Sequence, residues 1–201
     1  MRILCYGDSN TWGYIPNGKH ERYPEDIRYP MVLQKLLGND YEIIEEGLCS
    51  RTIANQDPKH SGDEYIAKRH FENCFKSHMP VDLLILFLGS NDMKDYFTFN
   101  AFDAALALDE LIIGKIKQIS PNTKIIIVIP KEIENSNFEG FENAKIKSKD
   151  FEKAYEYLAK LNNCQFVPNN ILDVGQDGLH LTKDAHLSLA NALYNLIINS
   201  I

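Results

Sequence analysis

At 201 residues the chain fits one domain with a sizeable core, and 44% hydrophobic with 24% charged residues is an ordinary soluble composition. Its 21 basic against 28 acidic residues leave a net charge of −7, so nucleic acid and anionic membrane surfaces lack electrostatic support as partners. No apolar run approaches the roughly 18 residues of a membrane helix, and no long apolar leader follows Met1; a cytoplasmic protein without a secretory signal is expected.

The first predicted strand covers about residues 2–6 and runs straight into Gly7-Asp8-Ser9-Asn10-Thr11-Trp12-Gly13. Glycine there can take a left-handed angle, and Asp and Ser suit a turn or the first residues of a helix. A helix is expected from Pro30, with Met31, Val32, Leu33, Leu36 and Leu37 on one face and Gly38-Asn39 as its stop. Strand two is expected over 41–45, ahead of Glu46-Gly47-Leu48, and the spacing of Tyr65, Ile66, Phe71, Cys74 and Phe75 predicts a helix over 63–78. Strand three, 81–88, is almost continuously apolar, as a parallel strand buried on both faces would be, and ends in Gly89-Ser90-Asn91-Asp92. Leu106, Leu108, Leu111, Ile112, Ile116 and Ile119 predict a helix over 102–119, followed by strand four at 124–129. Residues 130–147 read as a polar surface excursion with one helical turn. A helix over 149–161, a short strand over 165–168, the loop 171–181 and a helix capped by Thr182 and running to about Asn199 complete the pattern.

Five strands alternating with helices predict a single three-layer α/β/α domain over 1–201. Right-handed crossovers leave few arrangements of its parallel sheet, of which the flavodoxin-like order 2-1-3-4-5 is expected. The cysteines Cys5, Cys49, Cys74 and Cys164 are scattered without a Cys-x-x-Cys pair, and read as free thiols rather than disulfides or zinc ligands.

Ligands of an open parallel sheet bind beyond the carboxyl ends of its strands, where Ser9, Gly47, Asn91 and the pair Asp177/His180 all fall. Acyl transfer needs a nucleophile, a base, a group that orients the base and donors for the oxyanion. Ser9 is the candidate nucleophile and His180 the base, an imidazole whose ordinary titration lies near about 6.5. Asp177, three residues before His180, is the orienting carboxylate; Asp173 and Asp184 compete for that role without the same turn-like approach. The backbone N–H groups of Ser9 and Gly47 and the Asn91 amide are the candidate oxyanion donors, with glycine allowing backbone to approach the substrate closely. Asp8 and Asp92 are expected to pin loops, with Arg51 paired to one of them, while His20, His60, His70, His78 and His186 are expected to be bystanders. Trp12, Tyr14, Tyr96 and Phe97 are candidates to line an acyl or aryl pocket.

On the blocks Gly7-Asp8-Ser9, Gly47, Gly89-Ser90-Asn91-Asp92 and Asp177-Gly178-Leu179-His180, in that order, the chain resembles the SGNH (GDSL-type) serine hydrolase superfamily. The pieces Asn10-Thr11-Trp12-Gly13, Ile44-Glu45-Glu46-Gly47-Leu48 and Pro80-Val81-Asp82-Leu83 resemble its bacterial arylesterase and acyltransferase branch. The resemblance implies a serine esterase acting on small acyl esters (acetyl, aryl or carbohydrate) through an acyl-enzyme, no metal or other cofactor, a small-molecule partner and a homo-oligomer. Transfer to an alcohol in place of water is a further expectation, should aromatic walls exclude water from the acyl-enzyme. Asn10 departs from the usual leucine, Ser90 stands where threonine is common, Pro130-Lys131-Glu132 replaces a more proline-rich turn, and 138–147 matches nothing in the family. The competing reading is a flavodoxin-like phosphate- or cofactor-binding module without catalysis.

Overall fold

The computed structural model describes residues 1–134 and 136–200, and the side chains of Leu111 and Ser200 lie outside the described residues, as do Asn135 and Ile201. Five parallel strands, β1 (Arg2–Gly7), β2 (Glu42–Gly47), β3 (Leu83–Phe87), β4 (Lys124–Val128) and β5 (Gln165–Val167), form one sheet in the order β2-β1-β3-β4-β5. That is the expected order. Its central strand has both faces covered, which is why Leu83-Leu84-Ile85-Leu86-Phe87 is wholly apolar and wholly buried.

Helices fall on two sides because successive strand side chains alternate. Ile3, Cys5, Leu83, Ile85, Phe87, Ile126 and Val128 face α2 (Tyr29–Leu37) and α8 (Lys183–Ser200), with Leu33, Leu189, Leu193 and Ile197 as helix partners. Leu4, Tyr6, Leu84, Leu86 and Ile127 face α3 (Ala67–Ser77), α4 (Ala101–Leu108), α5 (Gly114–Ile119) and α7 (Phe151–Leu161). Fully burying one such leucine or isoleucine stabilises by about 1.5–3 kcal/mol, so the two apolar layers dominate the stability of the sheet.

Several predicted elements change in detail. The helix expected over 63–78 is a 3-10 turn, Asp63–Tyr65, then an extended Ile66 that lies opposite Thr52, and only then α3. The helix expected over 102–119 is broken by a π-helical turn, Asp109–Ile113, between α4 and α5. Leu106, expected inside, is 57% exposed because it lies on the opposite side of α4 from the buried Ala104 and Leu108, while Ile112 and Ile116 beyond the π turn are buried. Residues 130–147 are more than a surface excursion: Ile133, Phe141 and Ala144 are buried, and the segment ends in a short helix, α6 (Ala144–Ser148). Glu134 N–H donates to the Gly178 carbonyl and Asp95 N–H to the Gly140 carbonyl, so the segment is strapped over the carboxyl end of the sheet.

Candidate active site

Ser9 is the first residue of a short helix, α1 (Ser9–Trp12), that begins immediately after β1. Asp8 caps it: its carboxylate accepts from the Asn10 N–H at 2.9 Å and its carbonyl from the Trp12 N–H at 2.9 Å. The neighbouring strand ends are equally close. Gly7 and Gly47 are paired in register, and a Cβ on Gly47 would fall 2.2 Å from the Trp12 backbone nitrogen. Gly47 is therefore needed for the approach of α1 to the sheet, where the residue pattern had suggested an approach of substrate. Gly7 serves the same packing, since a Cβ there would meet the Thr11 hydroxyl at 2.0 Å; it is not left-handed.

The loop before α8 folds as a narrow hairpin. Gly175 N–H donates to the His180 carbonyl at 2.8 Å and Thr182 N–H to the Asp173 carbonyl at 3.0 Å, with Asp177-Gly178 at the tip. The hairpin turns the Asp177 carboxylate back on its own loop: Oδ1 accepts from the backbone N–H groups of Leu179 and His180 at 3.1 and 2.9 Å, and Oδ2 lies 2.8 Å from His180 Nδ1. His180 Nε2 in turn lies 2.8 Å from Ser9 Oγ. With the Nδ1 proton donated to Asp177, Nε2 is the acceptor for the serine hydroxyl. Burial pushes the Asp177 carboxyl up, but the hydrogen bond and charge of His180 and the two backbone donors outweigh it, so its pKa lies below the ordinary carboxylate range. It stays an anion through neutral pH.

Asn10 joins the two loops. Its side-chain oxygen accepts from the Leu181 N–H at 2.9 Å and its amide donates to the Leu179 carbonyl at 3.4 Å, bracketing His180. Sequence reasoning missed this, because the position was weighed only as a departure from leucine. The Tyr14 ring stacks on the imidazole with centroids 4.1 Å apart, and Phe138 meets it edge-on at 5.4 Å. Phe138 comes from the segment that matched no pattern, and nothing local in the sequence distinguishes it.

Asn91 follows β3 in a 3-10 turn, Ser90–Met93, and donates one amide proton to the Arg51 carbonyl at 3.1 Å, leaving its second amide proton for another acceptor. Arg51 itself is buried but makes no ion pair with Asp8 or Asp92, contrary to expectation: its guanidinium donates to the carbonyls of Gly7, Glu46 and Glu64 and lies over the Tyr6 ring. The two carboxylates have other surroundings. Asp92 accepts from Ile53 N–H, Ala54 N–H and the Asn55 amide, and so pins the loop after β2. Burial raises Asp92 to about 6 and Asp8 to about 7, and Asp8 Oδ2 has no hydrogen-bond partner.

A cavity of about 580 Å³ opens over Ser9, His180 and Asn91. Trp12 and Tyr14 line it. Tyr96 and Phe97 do not: the Tyr96 ring packs over Gly140 and is 42% exposed, and the Phe97 carbonyl accepts from the Lys147 ammonium of the strap. The positions they were expected to fill are taken by Phe138 and Phe141. His20 and His60, expected to be bystanders, also line the cavity; His20 stacks on Trp12 at 5.4 Å, and His60 lies 3.4 Å from the buried Asp57, which is ion-paired with Lys94.

The sequence matches the GDSL-like lipase/acylhydrolase family over residues 5–189. The chain belongs to this family. Among solved structures it is similar to the M. smegmatis aryl esterase, at 29% identity and a TM-score of 0.89 with 100% of this chain and 99% of that one covered. It is similar to Est24, a carbohydrate acetylesterase from Sinorhizobium meliloti, at 28% identity and a TM-score of 0.89, again covering 100% and 99%. A lipolytic G-D-S-L family protein from Veillonella parvula shares the fold at 14% identity and a TM-score of 0.69, covering 99% of each chain. A search of curated proteins finds no match. Among the described residues no helix is long and apolar enough to cross a membrane.

Proposed function

We propose that this GDSL-family protein is a single-domain serine esterase that cleaves small acyl esters through an acyl-enzyme on Ser9. The observation that carries the reading is the unbroken chain Ser9 Oγ, His180 Nε2, His180 Nδ1, Asp177 Oδ2, with both links at 2.8 Å. Ser9 attacks the ester carbonyl as His180 takes its proton; the Asp177 anion stabilises the imidazolium, which then protonates the leaving alcohol. Water deacylates by the reverse sequence of proton transfers. The oxyanion is assigned to the Ser9 and Gly47 N–H groups and the free amide proton of Asn91, each such donor being worth about 3–4 kcal/mol of barrier. The aromatic flank of Trp12, Tyr14, Phe138 and Phe141 beside a cavity of about 580 Å³ suits an aryl or sugar alcohol with a short acyl group, the classes named for the two similar solved structures. Transfer to an added alcohol belongs to the same reading. A phosphate- or flavin-binding module would leave the serine-histidine-aspartate chain without a role.

Hydrolysis of p-nitrophenyl acetate by wild type and Ser9→Ala tests this. Wild type should turn over, and the variant should lose about a thousandfold or more in kcat. A fluorophosphonate probe should label Ser9 alone; labelling elsewhere, or an active Ser9→Ala, would overturn the assignment.

A further inference from the structure

On the α3 side of the sheet, at the edge strand β2, a second group of chemically reactive side chains converges that the esterase reaction does not use. Cys74 and His78 lie four residues apart, at the last turn and C-cap of α3, so they project from one helix face. Glu46 projects towards them from β2. One ligand atom from each of the three lies within 4.8 Å of the others, with His78 Nε2 2.9 Å from Glu46 Oε1. Glu46 and His78 are half-buried, so solvent reaches the group, while Cys74 is buried beneath them.

We propose that Glu46, Cys74 and His78 form a three-ligand binding site for a zinc-class divalent cation, with water in the fourth position. The donor set, one sulfur, one imidazole nitrogen and one carboxylate oxygen, is the mixture that zinc takes in tetrahedral geometry. Zinc bonds of about 2.0–2.3 Å place tetrahedral donors roughly 3.3–3.8 Å apart, so donors now within 4.8 Å need to close by about 1–1.5 Å at most. Charge also balances. The ion displaces the Cys74 thiol proton to solvent, and the resulting thiolate with the Glu46 carboxylate neutralises the two positive charges. The imidazole binds neutral through Nε2 and gives up its hydrogen bond to Glu46. His70, one turn earlier on the same face, is engaged through Nδ1 with the Tyr6 hydroxyl and stays outside the site. Bound cation would clip the edge strand to α3, an attachment otherwise made by apolar packing and the His78–Glu46 contact.

The test uses the full chain stripped of metal and titrated with Co²⁺, then with Zn²⁺. Wild type should develop a near-ultraviolet sulfur-to-cobalt charge-transfer band that saturates at a single ion per chain and is displaced by Zn²⁺. Cys74→Ser should abolish the band, and His78→Gln should weaken binding at least about tenfold. Zn²⁺ at a hundredfold excess over its dissociation constant should raise the wild-type Tm by about 5–10 °C and leave Cys74→Ser unmoved. Cys49→Ser, which alters a half-exposed thiol on the cavity wall, should keep the band. No band in wild type, a band that survives Cys74→Ser, or one lost in Cys49→Ser would each overturn the proposal. A far-ultraviolet circular dichroism spectrum like that of wild type shows that Cys74→Ser is folded whatever the role of Ser9, so this test and the Ser9 test fail independently.

Discussion

Asn10 ties α1 to the hairpin that carries His180 by two hydrogen bonds to the backbone on either side of His180. Replacing it with alanine leaves the buried Leu181 N–H unpaired, which costs about 1–3 kcal/mol of stability. Its kinetic signature should be a kcat lowered about tenfold or more with KM for p-nitrophenyl acetate nearly unchanged, because a misplaced imidazole weakens the transition state and not substrate binding. An unchanged kcat would show that the hairpin positions His180 without help. Asp8 makes a different residue-scale prediction. Burial raises its folded pKa to about 7 from the ordinary 3.8, so the folded chain holds a proton that the unfolded chain releases between those values. Stability from this group is therefore full below about pH 4 and is lost as pH rises towards 7. Asp8→Asn keeps an acceptor for the Asn10 N–H and has no proton to lose, so its unfolding midpoint in urea should fall less than that of wild type over this range. Parallel slopes would mean that Asp8 is ionised throughout.

At the scale of elements, the site depends on how closely α1 rests on the ends of β1 and β2. Gly47→Ala places a methyl group 2.2 Å from the Trp12 nitrogen, a backbone atom that cannot rotate away. The helix must lift, carrying Ser9 with it. A loss of about 1–3 kcal/mol in denaturant unfolding should accompany a fall in kcat, and a variant with wild-type rate would show that α1 tolerates the shift. Most elements were legible from residue periodicity: all five strands were expected within two residues of where they lie, because buried parallel strands carry long β-branched and leucine-rich runs. Two kinds of element were not. The π turn at Asp109–Ile113 conserves helical composition and leaves no mark on residue type, and Leu106 looks like core as a leucine yet lies on the outer face of α4. The strap over 130–147 has few apolar residues, and which of them turn inward is set by what lies underneath.

Across the whole molecule, pH acts through groups buried far from one another in sequence. His186 is fully buried against Tyr29, accepting the Tyr29 N–H at Nδ1 while Nε2 has no partner. Burial, with the charges of Arg28 and His180, lowers its pKa to about 3 from 6.5. Unfolding exposes an imidazole that takes a proton below about 6.5, so this part of the stability is full above that pH and is lost as pH falls towards 3. Between about pH 7 and pH 4.5, His186→Leu should lose less of its urea midpoint than wild type does; an equal loss would mean that the folded imidazole is already protonated. The residues alone determined the alternating architecture, the strand order and the four blocks that meet over Ser9, because periodicity, turn chemistry and crossover handedness are local properties. Only the tertiary structure decided that Phe138 and Phe141 stand where Tyr96 and Phe97 were expected, that Arg51 serves carbonyls and not carboxylates, and that Glu46 meets Cys74 and His78. Those contacts join residues far apart in the chain, and a side chain's own sequence neighbourhood carries no record of what packs across from it.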